Sequence, residues 1–274
     1  MHQRIRTAVG IGAMLTLAGS ASATFHFMQI EQVIGGVEGD TSAQAIQLRM
    51  RAAGQNLVAQ SRLIVYDATG SNPVTVINIT ANVPNGLLGD RVLIVTNEML
   101  DYLVPPIAPD FIMTNPIPES YMAAGRLTFE SDLGEILWSL AWGGSGYTGS
   151  NMGSLDNDLD GNFGPPFPSP LPKDSTSSLR FKGAANARST NNAADYEITA
   201  SAAVLTNNAR ASGTVTPPPC YADYNGDGSV NTLDFIAYLN DFNDGVVGDD
   251  DCDGNGSINT LDFICFLNAF NEGC

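Results

Sequence analysis

The sequence predicts a mainly β chain, an antiparallel β-sandwich followed by a small α-helical unit. Three observations carry that reading. Between residues 24 and 212 apolar residues alternate with period two in short runs, and no helix-length amphipathic period interrupts them. The C-terminal stretch breaks the pattern and writes one motif twice. It reads DYNGDGSVNTLDFIAYLNDFN at 223–243 and DCDGNGSINTLDFICFLNAFN at 251–271, identical at 14 of 21 positions with an offset of 28. Between these regions lies TVTPPP at 214–219, whose consecutive prolines favour a stiff, extended spacer. The chain therefore divides into 1–23, a β-sandwich at 24–212, a Pro-rich linker at 213–219 and a terminal module at 220–274.

Residues 1–23 are expected to be a leader. Arg4 and Arg6 give a basic start, 7–19 is an apolar run of h-region length, and Ala21, Ser22 and Ala23 supply small residues for cleavage. The expectation is export to the extracellular space or cell surface. No other stretch approaches the roughly 20 apolar residues of a membrane span, so the mature chain is expected to lack a transmembrane segment.

In the β region, Ile46, Leu48 and Met50 alternate with Gln47, Arg49 and Arg51, which predicts a strand with one wet face. Short β-branched runs at 63–67, 74–79 and 91–96 are bounded by Gly, Asn, Asp and Pro. Segments 126–130 and 135–142 predict a hairpin across Ser131, Asp132, Leu133 and Gly134. Residues 143–174 are rich in Gly, Pro, Ser and Asn and predict a long excursion outside the core. Segments 196–200 and 202–206 close the sandwich. Trp138 and Trp142 share a strand face. On the inner face they are core, the commoner fate of tryptophan; on the wet face, with Tyr147, they would stack sugars.

The chemistry available here is narrow. The mature chain keeps one histidine, His26, and residues 24–212 hold no cysteine, which removes Ser-His and Cys-His nucleophiles. Paired carboxylates remain open among Glu31, Glu38, Glu98, Glu119, Glu130 and Glu135, and no feature selects two of them. The residues favour a non-catalytic module. Asp156, Asp158 and Asp160 have the spacing of the first half of a calcium loop, but Phe167 stands at the twelfth position. The segment is either a smaller third Ca2+ site or a solvated acidic turn.

The formal charge is -17, and -19 once Arg4 and Arg6 are removed. Residues 220–274 carry -11 of it, from ten Asp and one Glu with no Lys, Arg or His. Such a unit repels itself unless cations neutralise it, and nucleic acid or an anionic membrane is a poor partner.

The repeat says which cations. Each copy places acidic or amide side chains at loop positions 1, 3 and 5, Gly at 6, Asn at 9 and Asp at 12, the spacing that wraps oxygens around Ca2+. The first ligand set is Asp223, Asn225, Asp227, the Ser229 carbonyl, Asn231 (directly or through water) and Asp234. The second is Asp251, Asp253, Asn255, the Ser257 carbonyl, Asn259 and Asp262. Gly228 and Gly256 sit at the sharp turn. After the loops, Phe235, Ile236, Leu239 and Phe242, and likewise Phe263, Ile264, Leu267 and Phe270, predict one apolar stripe per helix by which the two helices pack together. All four cysteines lie in this unit. Cys252 and Cys265 replace Tyr224 and Ala237 of the first copy together, which predicts that they pair, leaving Cys220 and Cys274 to clasp the ends.

Neither loop is preceded by an amphipathic helix, so the unit is loop plus exit helix, twice. That pattern, with Cys220 at its start and Gly273-Cys274 at its end, resembles the GC-type dockerin modules of exported bacterial proteins. The resemblance implies a cohesin-like or other cell-surface protein partner, met by loop positions 10 and 11: Thr232 and Leu233, Thr260 and Leu261. The β region is loosely similar to immunoglobulin-like modules such as the lamin-tail fold. The expectation is a non-catalytic exported protein tethered through its calcium-dependent C-terminal module. The alternatives are a carbohydrate-binding protein or polysaccharide hydrolase carried by that module, and a structural surface-layer component.

Overall fold

A computed structural model describes residues 25–154, 160–187, 190–217, 220–245, 248, 250–252 and 254–273, so the predicted leader lies outside the described residues. The chain is mainly β, with several antiparallel sheets and few helices. In chain order the first strands are β1 (Met28–Ile34), β2 (Ala45–Met50), β3 (Ser61–Tyr66), β4 (Val74–Ile79) and β5 (Arg91–Val95). Two-residue strands β6 (Leu103–Val104) and β7 (Phe111–Ile112) and a single helical turn, α1 (Glu119–Met122), lead to the hairpin β8 (Gly125–Ser131) and β9 (Ile136–Trp142). Then come β10 (Leu179–Phe181), α2 (Asn192–Asp195), β11 (Tyr196–Ile198), β12 (Val204–Thr206) and β13 (Ser212–Val215). The C-terminal helices are α3 (Thr232–Asp244) and α4 (Thr260–Glu272).

The strands form three sheets, with orders β11-β10-β1-β2-β5-β7, β4-β3-β8-β9 and β12-β13-β6. One apolar cluster draws on the first two, joining Ile30, Leu48 and Ile94 to Leu63, Leu127 and Trp138. A second cluster covers part of the opposite face of the six-stranded sheet, where Ile34, Ala45 and Leu93 meet Leu205 and Val215 of the small sheet. Period-two alternation is what allows one strand to serve two cores: Ile94 faces the first and Leu93 the second. β13 runs into the first residues of the expected spacer, with Val215 fully buried.

Both tryptophans are fully buried. Trp138 stands edge-on to Phe163 and Phe181, and its Nε1 donates to Tyr196 Oη at 2.9 Å. Tyr196 Oη in turn donates to the Ile30 carbonyl at 2.6 Å, so a polar pair is satisfied inside the core. Trp142 Nε1 donates to the Tyr121 carbonyl. No tryptophan strip for sugar stacking is formed.

Two sequence expectations need correction. The 143–174 excursion is not outside the core: Phe163, Phe167 and Leu171 are buried in the main cluster, because one side chain every few residues pins an otherwise irregular segment. The Gln47, Arg49 and Arg51 face of β2 is not wet either. Gln47 and Arg51 are buried and Arg49 nearly so, because β1 lays Glu31 beside them and β10 closes the flank. Among the described residues no helix is long and apolar enough to cross a membrane.

Candidate metal centre

The two repeat loops have nearly the same backbone. Gly226 and Gly228 have φ of +69° and +85°, and Gly254 and Gly256 have +67° and +81°. Positive φ at positions 4 and 6 is the left-handed conformation that glycine adopts without a steric penalty, and it folds the chain back over the acidic side chains. The first carboxylate then collects loop amides. Asp223 Oδ1 accepts from the Asp227 N–H at 3.0 Å and Oδ2 from Gly228 at 2.8 Å; Asp251 does the same with Asn255 at 3.1 Å and Gly256 at 2.8 Å.

The far end of each loop is a helix cap. Asn231 and Asn259 are the N-caps of α3 and α4, accepting from the N–H of Leu233 and Leu261 at 2.9 Å each. Asp234 and Asp262, at the third helical position, return the favour by accepting from the Asn231 and Asn259 N–H at 2.8 Å. This is a reciprocal capping box, and it fixes where both carboxylates point. Asp234 is fully buried. Burial pulls its pKa up, but backbone N–H groups of Asn231 and Asn225 together hold it below the ordinary carboxylate value. The Ser229 and Ser257 carbonyls accept from the side-chain amides of Asn231 and Asn259 at 2.8 and 3.0 Å.

Positions 1, 7, 9 and 12 thus occupy matching hydrogen-bonded places in both loops. In the first loop, position 3 (Asn225) and position 5 (Asp227) take the Asp227 and Ser229 N–H groups. In the second loop Asn255 is placed, while Asp253 lies outside the described residues, as do Asp156 and Asp158 of the third expected site. Asp160 accepts from the Asn162 N–H. Among the described residues no group of three or more His, Cys, Asp or Glu side chains is gathered into a metal cage. The donor set of the loops is mixed instead: carboxylate, amide and carbonyl oxygens, without nitrogen or sulfur, which suits a hard cation such as Ca2+ and not Zn2+.

Among the described residues the module is held by aromatic packing and by the Cys252–Cys265 disulfide. Cys252 and Cys265 form the expected disulfide, tying loop position 2 to α4. The first copy makes the same tie differently: Tyr224 Oη donates to Asp241 Oδ2 at 3.0 Å, joining loop position 2 to α3. Cys274, the expected partner of Cys220, lies outside the described residues.

The helices hold a third correction. Their apolar residues form two stripes, not one. Phe235, Tyr238 and Phe242 pack with Phe263, Phe266 and Phe270 between the helices. The aliphatic residues turn outward and match between copies: Leu233 and Leu261 are each 59% exposed, Ile236 and Ile264 each 48%, Leu239 37% and Leu267 36%. Thr232 and Thr260 are exposed beside them. Aromatic against aliphatic was the signal that separates the stripes, and apolarity alone merged them.

Among the described residues, two buried side-chain polar atoms have no hydrogen-bond partner: Tyr238 Oη and Asp250 Oδ2. Neither was singled out in the sequence. The repeat contains the clue, because Tyr238 and Asp250 replace Phe266 and Ala222 of the other copy. No model of a known protein family matches this chain, and no curated protein or solved structure is significantly similar to it.

Proposed function

We propose that this is a non-catalytic exported protein in which an immunoglobulin-like β-sandwich is tethered to a cohesin-type or other cell-surface protein by a calcium-folded, dockerin-like module. The observation that carries the reading is the matched outward stripe. Three aliphatic side chains per helix stand in solvent at the same exposure in both copies. Apolar residues left exposed twice in register are under a common demand, and a protein interface is the demand that fits. Calcium at the two loops would be held by the oxygens of Asp223, Asn225, Asp227, Ser229, Asn231 and Asp234, and by their counterparts at Asp251, Asp253, Asn255, Ser257, Asn259 and Asp262. Two bound Ca2+ would offset four of the eleven negative charges of the module and lock the helix caps.

The carbohydrate-binding alternative loses support because Trp138, Trp142 and Tyr147 are buried. The hydrolase alternative weakens too: Glu31 and Glu130, the buried glutamates, are held by arginines at 2.6–3.1 Å. The test is calorimetry of the full chain against a panel of purified cohesin domains, with calcium and with chelator. Saturable binding that disappears with chelator supports the tether. No binding to any member, with concentration-dependent self-association of the chain instead, would move the reading to a surface-layer component.

A further inference from the structure

On the outer face of the six-stranded sheet, four neighbouring strands build a cationic depression of about 450 Å³. Arg180 comes from β10, Glu31 from β1, Arg49 from β2 and Arg91 from β5, with Lys182 just beyond β10 and Glu197 on β11. Four cations against two carboxylates leave it two charges positive, in a chain of net charge -17 with only 12 Lys and Arg in all.

The depression is built around a β-bulge. The β1–β2 register skips between Ile30 and Gln32, which makes Glu31 the extra residue and aims it across the sheet. Arg49 and Arg91 are direct cross-strand partners, a like-charge pairing that would repel by itself. Glu31 relieves it, accepting from Arg49 Nη1 at 2.8 Å and from Arg91 Nε and Nη2 at 2.6 and 3.0 Å. Gln47 Nε2 adds a fourth bond at 2.8 Å, so this carboxylate is saturated. Arg49 is committed as well, giving Nη2 to the Gly183 carbonyl at 2.7 Å.

The donors left over point to a ligand. Arg91 keeps Nη1. Arg180, half exposed, commits only Nη2, to Glu197 at 2.7 Å. Lys182 is exposed and has no side-chain partner among the described residues. The geometry points to a binding site for a small oxyanion, a carboxylate or sulfate carried on a free metabolite-sized anion or on a sugar. Arginine forks recognise such oxyanions through paired N–H donors. The size limit follows from charge: the local excess is two and acts within a Debye length of about 8–10 Å, so a longer polyanion would extend over a chain whose remaining charge is negative.

The experiment is calorimetric titration of the full chain, calcium present, in chloride buffer of low ionic strength, with sodium glucuronate and with sodium sulfate. Saturable binding is expected, weakening as sodium chloride is raised. Lys182→Ala should reduce affinity roughly tenfold, the cost of one charge-assisted hydrogen bond. Lys182→Arg should restore most of it, and Lys173→Ala, at a lysine paired with Asp174, should change nothing. Lys182 bonds to no described side chain, so its variants keep the fold; Arg91 is left intact because it holds Glu31. Tighter binding of glucuronate than sulfate assigns the site to sugar-borne carboxylates, and equal binding assigns it to free oxyanions. The proposal is overturned if neither probe binds saturably, or if Lys182→Ala and Lys173→Ala weaken binding alike.

Discussion

Tyr238 and Phe266 occupy the same position in the two copies of the repeat and stack face to face, with ring centroids 4.0 Å apart and planes 4° from parallel. Both side chains are fully buried. Phe235 meets its own counterpart Phe263 at 6.3 Å beside them, so α3 and α4 pack through equivalent residues about a local twofold. Besides the differing ties at loop position 2, the symmetry breaks where the Tyr238 hydroxyl and Asp250 stand in place of Phe266 and Ala222.

That imperfection is costly and removable. A buried hydroxyl without a partner costs about 1–3 kcal/mol, whereas its apolar isostere costs nothing of the kind. Tyr238→Phe should therefore raise the stability of the C-terminal module by about 1 kcal/mol. Tyr238→Phe with Asp250→Ala, which copies the Phe266 and Ala222 arrangement, should be at least as stable as the parent in saturating calcium. Thermal unfolding followed by helical circular dichroism decides; a loss in the single variant would mean that the hydroxyl has found a partner.

Calcium removal should separate the two parts of the chain. Two sites each filled to ~100 times their Kd contribute about 2.7 kcal/mol apiece, comparable to the stability of so small a core. With chelator, and with the disulfides reduced, the helical signal of the module should collapse while the β signal and the tryptophan environment persist. An unchanged helical signal would reject the ligand assignment.

The outward stripe predicts non-additive mutations. Leu233→Asp alone should weaken binding to a cohesin-type partner only modestly, because the second copy presents Leu261 in the same way after a half-turn. Leu233→Asp with Leu261→Asp should cost several kcal/mol, an unpaired charge having replaced an apolar anchor in both orientations. Intact binding by the double variant would reject this face. Complete loss in one single variant would mean that one copy alone is used.

The turn between β3 and β4 predicts a pH dependence. Asp67 is held at a pKa of about 2 by hydrogen bonds from the Thr69 hydroxyl, the Asn72 amide and the Ser71 and Thr69 N–H groups. A folded pKa below the unfolded value contributes stability that is present above about pH 4 and lost as pH falls through 2. The stability difference between the parent and Asp67→Ala should be constant above about pH 5, shrink as pH falls and be lost only near pH 1, below both pKa values. A difference that stays at its full size down to pH 2 would show that the turn does not depend on the charged form.

Replacing the staple of the second copy should expose what a covalent tie adds. Cys252→Ala with Cys265→Ala opens a loop of sequence separation 13. Chain entropy alone puts the loss near ~3 kcal/mol, which should appear as a higher calcium requirement for folding. Equal calcium midpoints before and after would mean that the helix cap alone holds the loop.

Much of the β framework was legible in the sequence. The 74–79 run matches β4, 91–96 differs from β5 by one residue, and the 126–142 hairpin forms as β8 and β9. β1 was not legible, because MQIEQVI sets Gln29, Glu31 and Gln32 among its apolar residues without a clean alternation, the bulge at Glu31 breaks the period, and all seven residues are buried. Their burial depends on partners more than 15 residues distant, Gln47, Arg91 and Ser178 among them, which local pattern does not encode. β10 is three residues long and gives no period to detect. The paired loop–helix organisation was readable because equivalent residues recur at a fixed offset of 28. The division of each helix into an aromatic and an aliphatic stripe depended on the identity of the facing helix, its own near-copy.

A chain held by its C-terminal module receives any pull through Val215. That residue ends β13, the middle strand of the small sheet, with β12 on one side and β6 on the other. Its N–H bonds to the Ala203 carbonyl, and the next residue, Thr216, bonds to Tyr102. Mechanical load would therefore meet two ladders at once instead of peeling a single edge. A force on the C-terminal end would be resisted where the chain leaves the sheet, by a strand clamped from both sides.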